Sequence, residues 1–274
     1  MFVVPALLAA VLTSAPIVGH NVTYAGTKPI QGFLTATPAD GGAVHLDVWE
    51  TQHGKTLVKY DVDMTKLLHM IVVSDDLTDF QHIHPVLHPD GHFTIDVQPH
   101  ERGLYHVYID GMPHGIGREV LRFDVPIGGV AAAASRHLHA TGATQTAGPY
   151  TITLDPVSVP FGEIATIDVT ISKNGKIAGD LHPYLGAMAH GVFIGTRDLS
   201  YMHAHGMTDD MLAMAAGDCG DSMMAAMPPL PARSTIGGKF SFEILAPAAQ
   251  PYDFWLQFIG GDTLYTVPFL VTGR

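Results

Sequence analysis

The chain has 274 residues, with Gly 29 and Pro 19 among them and a formal net charge of −12. That length suits two domains of ordinary size, and so much glycine and proline argues against a molecule built from long helices. An acid excess of this size brings no general attraction for nucleic acid or an anionic membrane, so no nucleic-acid partner is expected.

Residues 2–12 form an unbroken apolar run followed by small residues, the pattern of a secretory leader and too short for a bilayer span. No Lys or Arg precedes it, so the basic part of such a leader is missing. Segment 1–19 is read as a signal peptide, and the mature chain as periplasmic or secreted. No later run is long enough for a transmembrane helix, so none is expected in the mature chain.

From 20 to 127 the pattern becomes that of short strands. "AVHLDVWET" (43–51) and "TLVKYDVDM" (56–64) alternate in polarity and are rich in Val, Thr and Tyr, as half-buried strands require. Two apolar runs, 67–73 and 80–87, then flank the polar turn "SDDLTD", which spells a hairpin. "DGHFTIDV" (90–97), "GLYHVYID" (103–110) and "VLRFDV" (120–125) complete the first half. Residues 128–147 are Ala-, Gly- and Thr-rich and read as a linker, with room for a short helix at 130–137.

The second half, 148–274, repeats the order: "YTITLDPVSV", "IATIDVTISK", the block "MAHGVFIGTRDLSYMHAHG" (188–206), then "GGKFSFEI", "PYDFWLQF" and "YTVPFLV". Paired aromatic starts recur at Phe93/Phe240 and Tyr105/Tyr252. A repeat this long reads as a duplicated domain. The expected fold is therefore all-β: two tandem immunoglobulin-like or cupredoxin-like sandwiches of about seven strands each, related by internal duplication.

The 17 histidines outnumber the 14 Lys and Arg together. Imidazole is the commonest transition-metal ligand among side chains. His69, His82 and His84 in the first half match His190, His203 and His205 in the second, at one shared offset. Between them the copies have drifted: Asp76-Leu77 and Asp198-Leu199 sit one residue out of step. In a hairpin where Val73 faces Phe80, His69 faces His84; a two-residue slip puts it opposite His82. His82 and His84 share a face, since strand side chains alternate. Three imidazoles on one face of one hairpin can meet at one ion, so all six are candidate metal ligands. Neutral nitrogen ligands suit Cu(II), Zn(II) or Ni(II), and suit Ca(II) and Mg(II) badly. The competing reading is cross-strand surface histidines in ordinary hydrogen bonds.

Segment 207–233 is a Met-rich insertion, about 26 residues longer than the matching stretch of the first half. It holds Met207, Met211, Met214, Met223, Met224, Met227 and the sole cysteine, Cys219. Soft sulfur ligands select Cu(I), so these residues are further candidate ligands and weight the choice toward copper over zinc. Met207, Met211 and Met214 are spaced for one helical face. The alternative is a Met-rich helix packed on the sandwich. A leader cut after Gly19 would make His20 an N-terminal chelator. His88, His92, His100, His106, His114, His137, His139 and His182 read as solvated or singly bonded side chains.

"KLLHMIVVSDDLTDFQHIHP" and "LHPYLGAMAHGVFIGTRDLSYMHAH" resemble the paired histidine motifs of exported bacterial proteins of unassigned function, which often look like neighbours of copper-handling genes. The resemblance implies cupredoxin-like or immunoglobulin-like sandwiches and brings no established activity. One departure is Gly206, where the first motif has Pro85; it leaves the end of the second hairpin freer and open to the Met segment.

The expected function is metal binding by an exported protein, as a copper carrier, buffer or resistance factor, with a copper exporter or oxidase as its partner. A mononuclear copper or zinc enzyme is the second reading, since three His ligands with an open position also describe catalytic centres. No acid or base stands at a fixed offset from both triplets, and no catalytic residue is assigned. A metal-free adhesion or scaffold module is the third reading.

Overall fold

The structure is a computed structural model that describes residues 15–22, 30–128, 136, 138–139, 142–215 and 228–274. It is almost wholly β, and it divides into two compact units: Met1–Val62 with Lys66–His137, and Asp63–Thr65 with Leu138–Arg274.

The first unit carries β1 (Ile17–Val18), β2 (His20–Asn21), β3 (Ile30–Pro38), β4 (Val44–Gln52), β5 (Lys55–Thr56), β6 (Tyr60–Asp61), β7 (Leu68–Ser74), β8 (Phe80–Ile83), β9 (Val86–Leu87), β10 (Phe93–Val97), β11 (Gly103–Pro113) and β12 (Glu119–Ile127). One sheet runs β1-β3-β4-β10-β9 with β5 on β4, the other β2-β12-β11-β7-β8 with β6 on β11. Alternate residues of each sheet fill the space between them, among them Leu46 and Val48 of β4, Met70 and Val72 of β7 and Phe123 of β12. This is the half-buried alternation of an antiparallel sandwich.

The second unit carries β13 (Thr144–Ala147), β14 (Tyr150–Asp155), β15 (Ser158–Val159), β16 (Ile164–Lys173), β17 (Lys176–Ile177), β18 (Leu181–His182), β19 (His190–Gly195), β20 (Tyr201–His205), α1 (Asp209–Ala215), β21 (Lys239–Leu245), β22 (Pro251–Gly260) and β23 (Thr263–Gly273). Its sheets run β13-β14-β16-β17 with β21 on β16, and β15-β23-β22-β19-β20 with β18 on β22. Its core is aromatic, with Phe193 stacked on Phe254 at 4.0 Å between ring centroids. Such stacks add to the area that the rings bury.

Both units contain a tyrosine tied to backbone four residues upstream, the corner found in immunoglobulin-type sandwiches. Tyr252 donates to the Ala248 carbonyl at 2.8 Å, and Tyr105 reaches the Glu101 carbonyl at 3.1 Å. The chain is thus an all-β molecule of two-sheet sandwiches.

Some details differ from the expectation. Each unit has more than seven strands because short pieces extend the sheet edges. Thr144–Ala147, within the stretch read as linker, is a strand paired to β14. Ile17 and Val18, within the stretch read as leader, pair with Leu34 and Phe33 of β3. The helix expected at 130–137 lies outside the described residues except for Arg136. No helix among the described residues is long and apolar enough to cross a membrane.

Candidate metal centres

The first triad is built by one hairpin. Strands β7 and β8 pair with Val73 opposite Phe80 and Ile71 opposite His82, and the next rung outward places His69 opposite His84. Met70 and Val72 point into the unit's own core. Alternation therefore turns His69, Ile71 and Val73 to the other face of the sheet, and His82 and His84 with them. The connecting turn is held by its own polar side chains. Asp76 accepts from Ser74 Oγ at 2.5 Å and from the Thr78 amide at 3.1 Å, while the Ser74 amide donates to the Asp79 carbonyl at 3.0 Å.

The three rings converge on one atom. His69 Nδ1 lies 3.0 Å from His82 Nε2 and 3.2 Å from His84 Nε2. Ring centroids are 4.9 Å apart for His82 and His84. Two nitrogens bound to one ion at about 2.0–2.1 Å, with angles between square and tetrahedral, sit about 2.8–3.4 Å from each other. The observed spacings fall in that range. A ring nitrogen has one in-plane lone pair, so a single hydrogen bond accounts for one of the two close neighbours of Nδ1, whereas a shared cation accounts for both. Burial, then the charge of His82 and that of Lys66, push His84 down to about 3, so its ring is neutral and able to ligate.

The second triad repeats the construction. Strands β19 and β20 pair Ile194 with Tyr201, Val192 with His203 and His190 with His205, the same register at the same offset. Phe193 and Ala189 belong to the unit's core, so His190 again lies on the face turned from it. The drifted Leu residues fit without changing the register, because both turns are closed across the same span. Gly195 donates to the Ser200 carbonyl at 2.8 Å, and Leu199 takes the positive φ of 58° that Leu77 takes at 64° in the first turn.

His190 Nδ1 lies 3.1 Å from His203 Nε2, and the His205 ring centroid is 4.6 Å from that of His190 and 4.7 Å from that of His203. On its other side His190 Nε2 meets the Tyr184 carbonyl at 3.1 Å. A carbonyl only accepts, so Nε2 carries the proton and Nδ1 presents its lone pair toward His203. Metal-bound histidines are commonly oriented by such a partner on the second nitrogen.

Directly after each triad the chain crosses to the other sheet of its sandwich. Val86 pairs with Thr94 in the first unit, and Met207 bridges Ser241 in the second. Gly206 does not loosen this crossing, contrary to expectation. Its amide donates to the Ala189 carbonyl at 2.8 Å, and a Cβ there would meet Phe240 Cδ2 at 2.8 Å. The residue is glycine because the backbone is packed close, and proline could not supply the N–H.

The other candidate ligands are placed apart from the triads or are not described. Met207 is buried in its bridge ahead of the helix, which begins at Asp209 behind Thr208, so the three methionines do not share a helical face. Met211 lies in α1 and is half-buried, and Met214 lies in α1. Cys219, Met223, Met224 and Met227 lie outside the described residues. His20 is on β2, at the opposite edge of its sheet from β8. Cleavage after Gly19 would also strip β1 from the first sheet.

Sequence reasoning undervalued one histidine. His106 is buried, not solvated, with Nδ1 2.8 Å from Asp124 and Nε2 3.0 Å from Asp75. Each ring nitrogen thus faces a carboxylate oxygen. Asp75 opens the β7–β8 turn and also meets Arg136, so this charge chain ties the turn to β11 and β12. Nothing in local spacing marks it. Other described histidines make simple pairs, such as His45 with Asp96 at 2.6 Å and His92 with Asp47 at 2.8 Å.

Residues 144–274 match a family model described as a domain of unknown function (DUF8832). No curated protein matches the chain. Among solved structures, two of Salmonella alpha-2-macroglobulin, one a mutant and one reacted with methylamine, are 12% and 13% identical; they cover 93% and 98% of this chain and 15% and 16% of theirs, each at TM-score 0.23. Escherichia coli alpha-2-macroglobulin activated by porcine elastase is 11% identical over 89% of this chain and 24% of its own, at TM-score 0.23. The chain thus spans under a quarter of the length of the alpha-2-macroglobulins it matches.

Proposed function

We propose that this is an exported copper-binding protein that acts as a carrier, buffer or resistance factor, with one three-histidine centre in each sandwich. The observation that carries the reading is the shared hairpin register, which brings three imidazoles together twice. In the first triad the nitrogens lie 3.0 and 3.2 Å apart, the spacing of ligands around one ion. The same register at the same offset supports reading the two halves as duplicates. Imidazole sets of this kind serve Cu(II) well and zinc acceptably. The methionines of segment 207–233 favour copper and would serve its reduced form.

The test is metal content with stoichiometry on the exported full-length protein, as purified and after loading with Cu(II), Cu(I) or Zn(II). Two ions per chain is the expected result. No bound metal under any loading would overturn the reading.

A further inference from the structure

The second triad is tied to the segment that follows it at two points. Just past His205, Met207 and Ser241 exchange backbone hydrogen bonds of 2.9 and 2.8 Å. Farther along, the chain returns, and the Leu230 amide donates to the Gly186 carbonyl at 2.8 Å.

Gly186 belongs to a tight turn, Tyr184 to Ala187, closed by reciprocal hydrogen bonds of 3.0 and 3.1 Å. Its two central residues, Leu185 and Gly186, have φ of 49° and 86°. Two successive left-handed residues are the signature of a type I′ turn, in which glycine is favoured. The returning chain packs hard on this turn: a Cβ added to Gly186 would stand 2.5 Å from Pro229 Cβ. The same turn supplies the Tyr184 carbonyl that accepts the His190 Nε2 proton at 3.1 Å, and the Tyr184 ring packs edge-on to His190 at 5.1 Å.

We infer that Pro229 and Leu230 form a positioning clamp for His190: by seating the 184–187 turn they hold the Tyr184 carbonyl in place, so that His190 keeps its proton on Nε2 and offers Nδ1 to an ion. The inference rests on the metal reading of the second triad and adds a control point to it. The returning residues Pro229 and Leu230 set the chemistry of the first ligand. Movement of that end, by a partner or by sulfur ligands engaging an ion, would reach the centre through one hydrogen bond.

The test uses the full chain and two variants. Gly186→Ala drives a Cβ into Pro229 and strains a left-handed residue. Pro229→Gly removes the packing and leaves the turn residues unchanged. Two readouts are taken: the His190 tautomer in metal-free protein, from ¹⁵N chemical shifts, and Cu(II) affinity at each centre. The parent should show one tautomer with the proton on Nε2, and each variant a mixture of tautomers. Losing a partner of this kind typically weakens metal affinity roughly 10- to 100-fold, and that loss should appear at the second centre with the first unchanged. A single unaltered tautomer and unaltered affinity in both variants would overturn the clamp. A parent that binds no Cu(II) at the second triad would overturn the metal reading, while the tautomer measurement would still decide the clamp.

Discussion

His69 Nδ1 lies 3.0 Å from His82 Nε2, across a hairpin whose twin in the other sandwich sets His190 Nδ1 3.1 Å from His203 Nε2. Each pair belongs to its own hairpin, and the proposed function assigns one ion to each. Replacing His82 and His84 by Ala should remove one Cu(II) equivalent and leave the other. Replacing His203 and His205 should do the reverse. Copper titrated against each variant checks this, and loss of both equivalents from either variant would contradict it.

Gly206→Pro should damage the second centre. The substitution deletes the N–H that donates to Ala189 and pushes side-chain atoms into Phe240. An unmade backbone bond in a closely packed place costs about 1–3 kcal/mol, and His205 is the adjacent residue. The expected result is weaker Cu(II) binding at the second triad with the first unaffected, read by titration.

His106→Ala should destabilise the first sandwich without touching a ligand. It leaves Asp75 and Asp124 without the ring between them. Asp124 is partly exposed, so the loss is moderate, about 2 kcal/mol. A thermal melt should show the first unit unfolding several degrees earlier and the second unchanged.

Stability should depend on pH through Glu50. This carboxyl is buried in the first core beside Glu119 and accepts from Tyr60 at 2.8 Å. Burial first, and Glu119 further, push it up to about 7 from 4.5. The folded state therefore keeps a proton that the unfolded chain releases. Its contribution to stability is full below pH 4.5, falls as pH climbs toward 7 and is gone above that, a loss of about 3 kcal/mol. Glu50→Gln should flatten this slope in denaturation measured from pH 5 to 8.

Replacing Met211, Met214, Met223, Met224 and Met227 by Leu should lower Cu(I) retention and spare Cu(II) at both triads, since thioether sulfur serves the reduced ion. Competition with a Cu(I) chelator measures it. Unchanged Cu(I) retention would make these methionines packing residues.

The hairpins were legible because period-two alternation and a six-residue polar turn leave few registers open, and Val73 opposite Phe80 is the one observed. The face on which the triads lie was not legible. Strand β7 is apolar and buried on both faces, so Ile71 and Val73 look no different in sequence from Met70 and Val72. The His106 clamp escaped because its carboxylates come from a turn and a strand 31 and 18 residues away. The partner of His190 is a backbone carbonyl, which any residue at 184 would supply. Gly206 was misread because a glycine in sequence suggests freedom, whereas here it marks close approach.

Each histidine strand leaves its sheet for the opposite one within two residues of its last ligand, at Val86 and at Met207. The triads therefore stand at seams where the halves of a sandwich are sewn together. Yet all three ligands of each triad come from one hairpin of one sheet, on the face turned from the core. An ion held there would fasten the two strands of the hairpin to each other just before the chain crosses, and its removal would loosen that hairpin without parting the sheets.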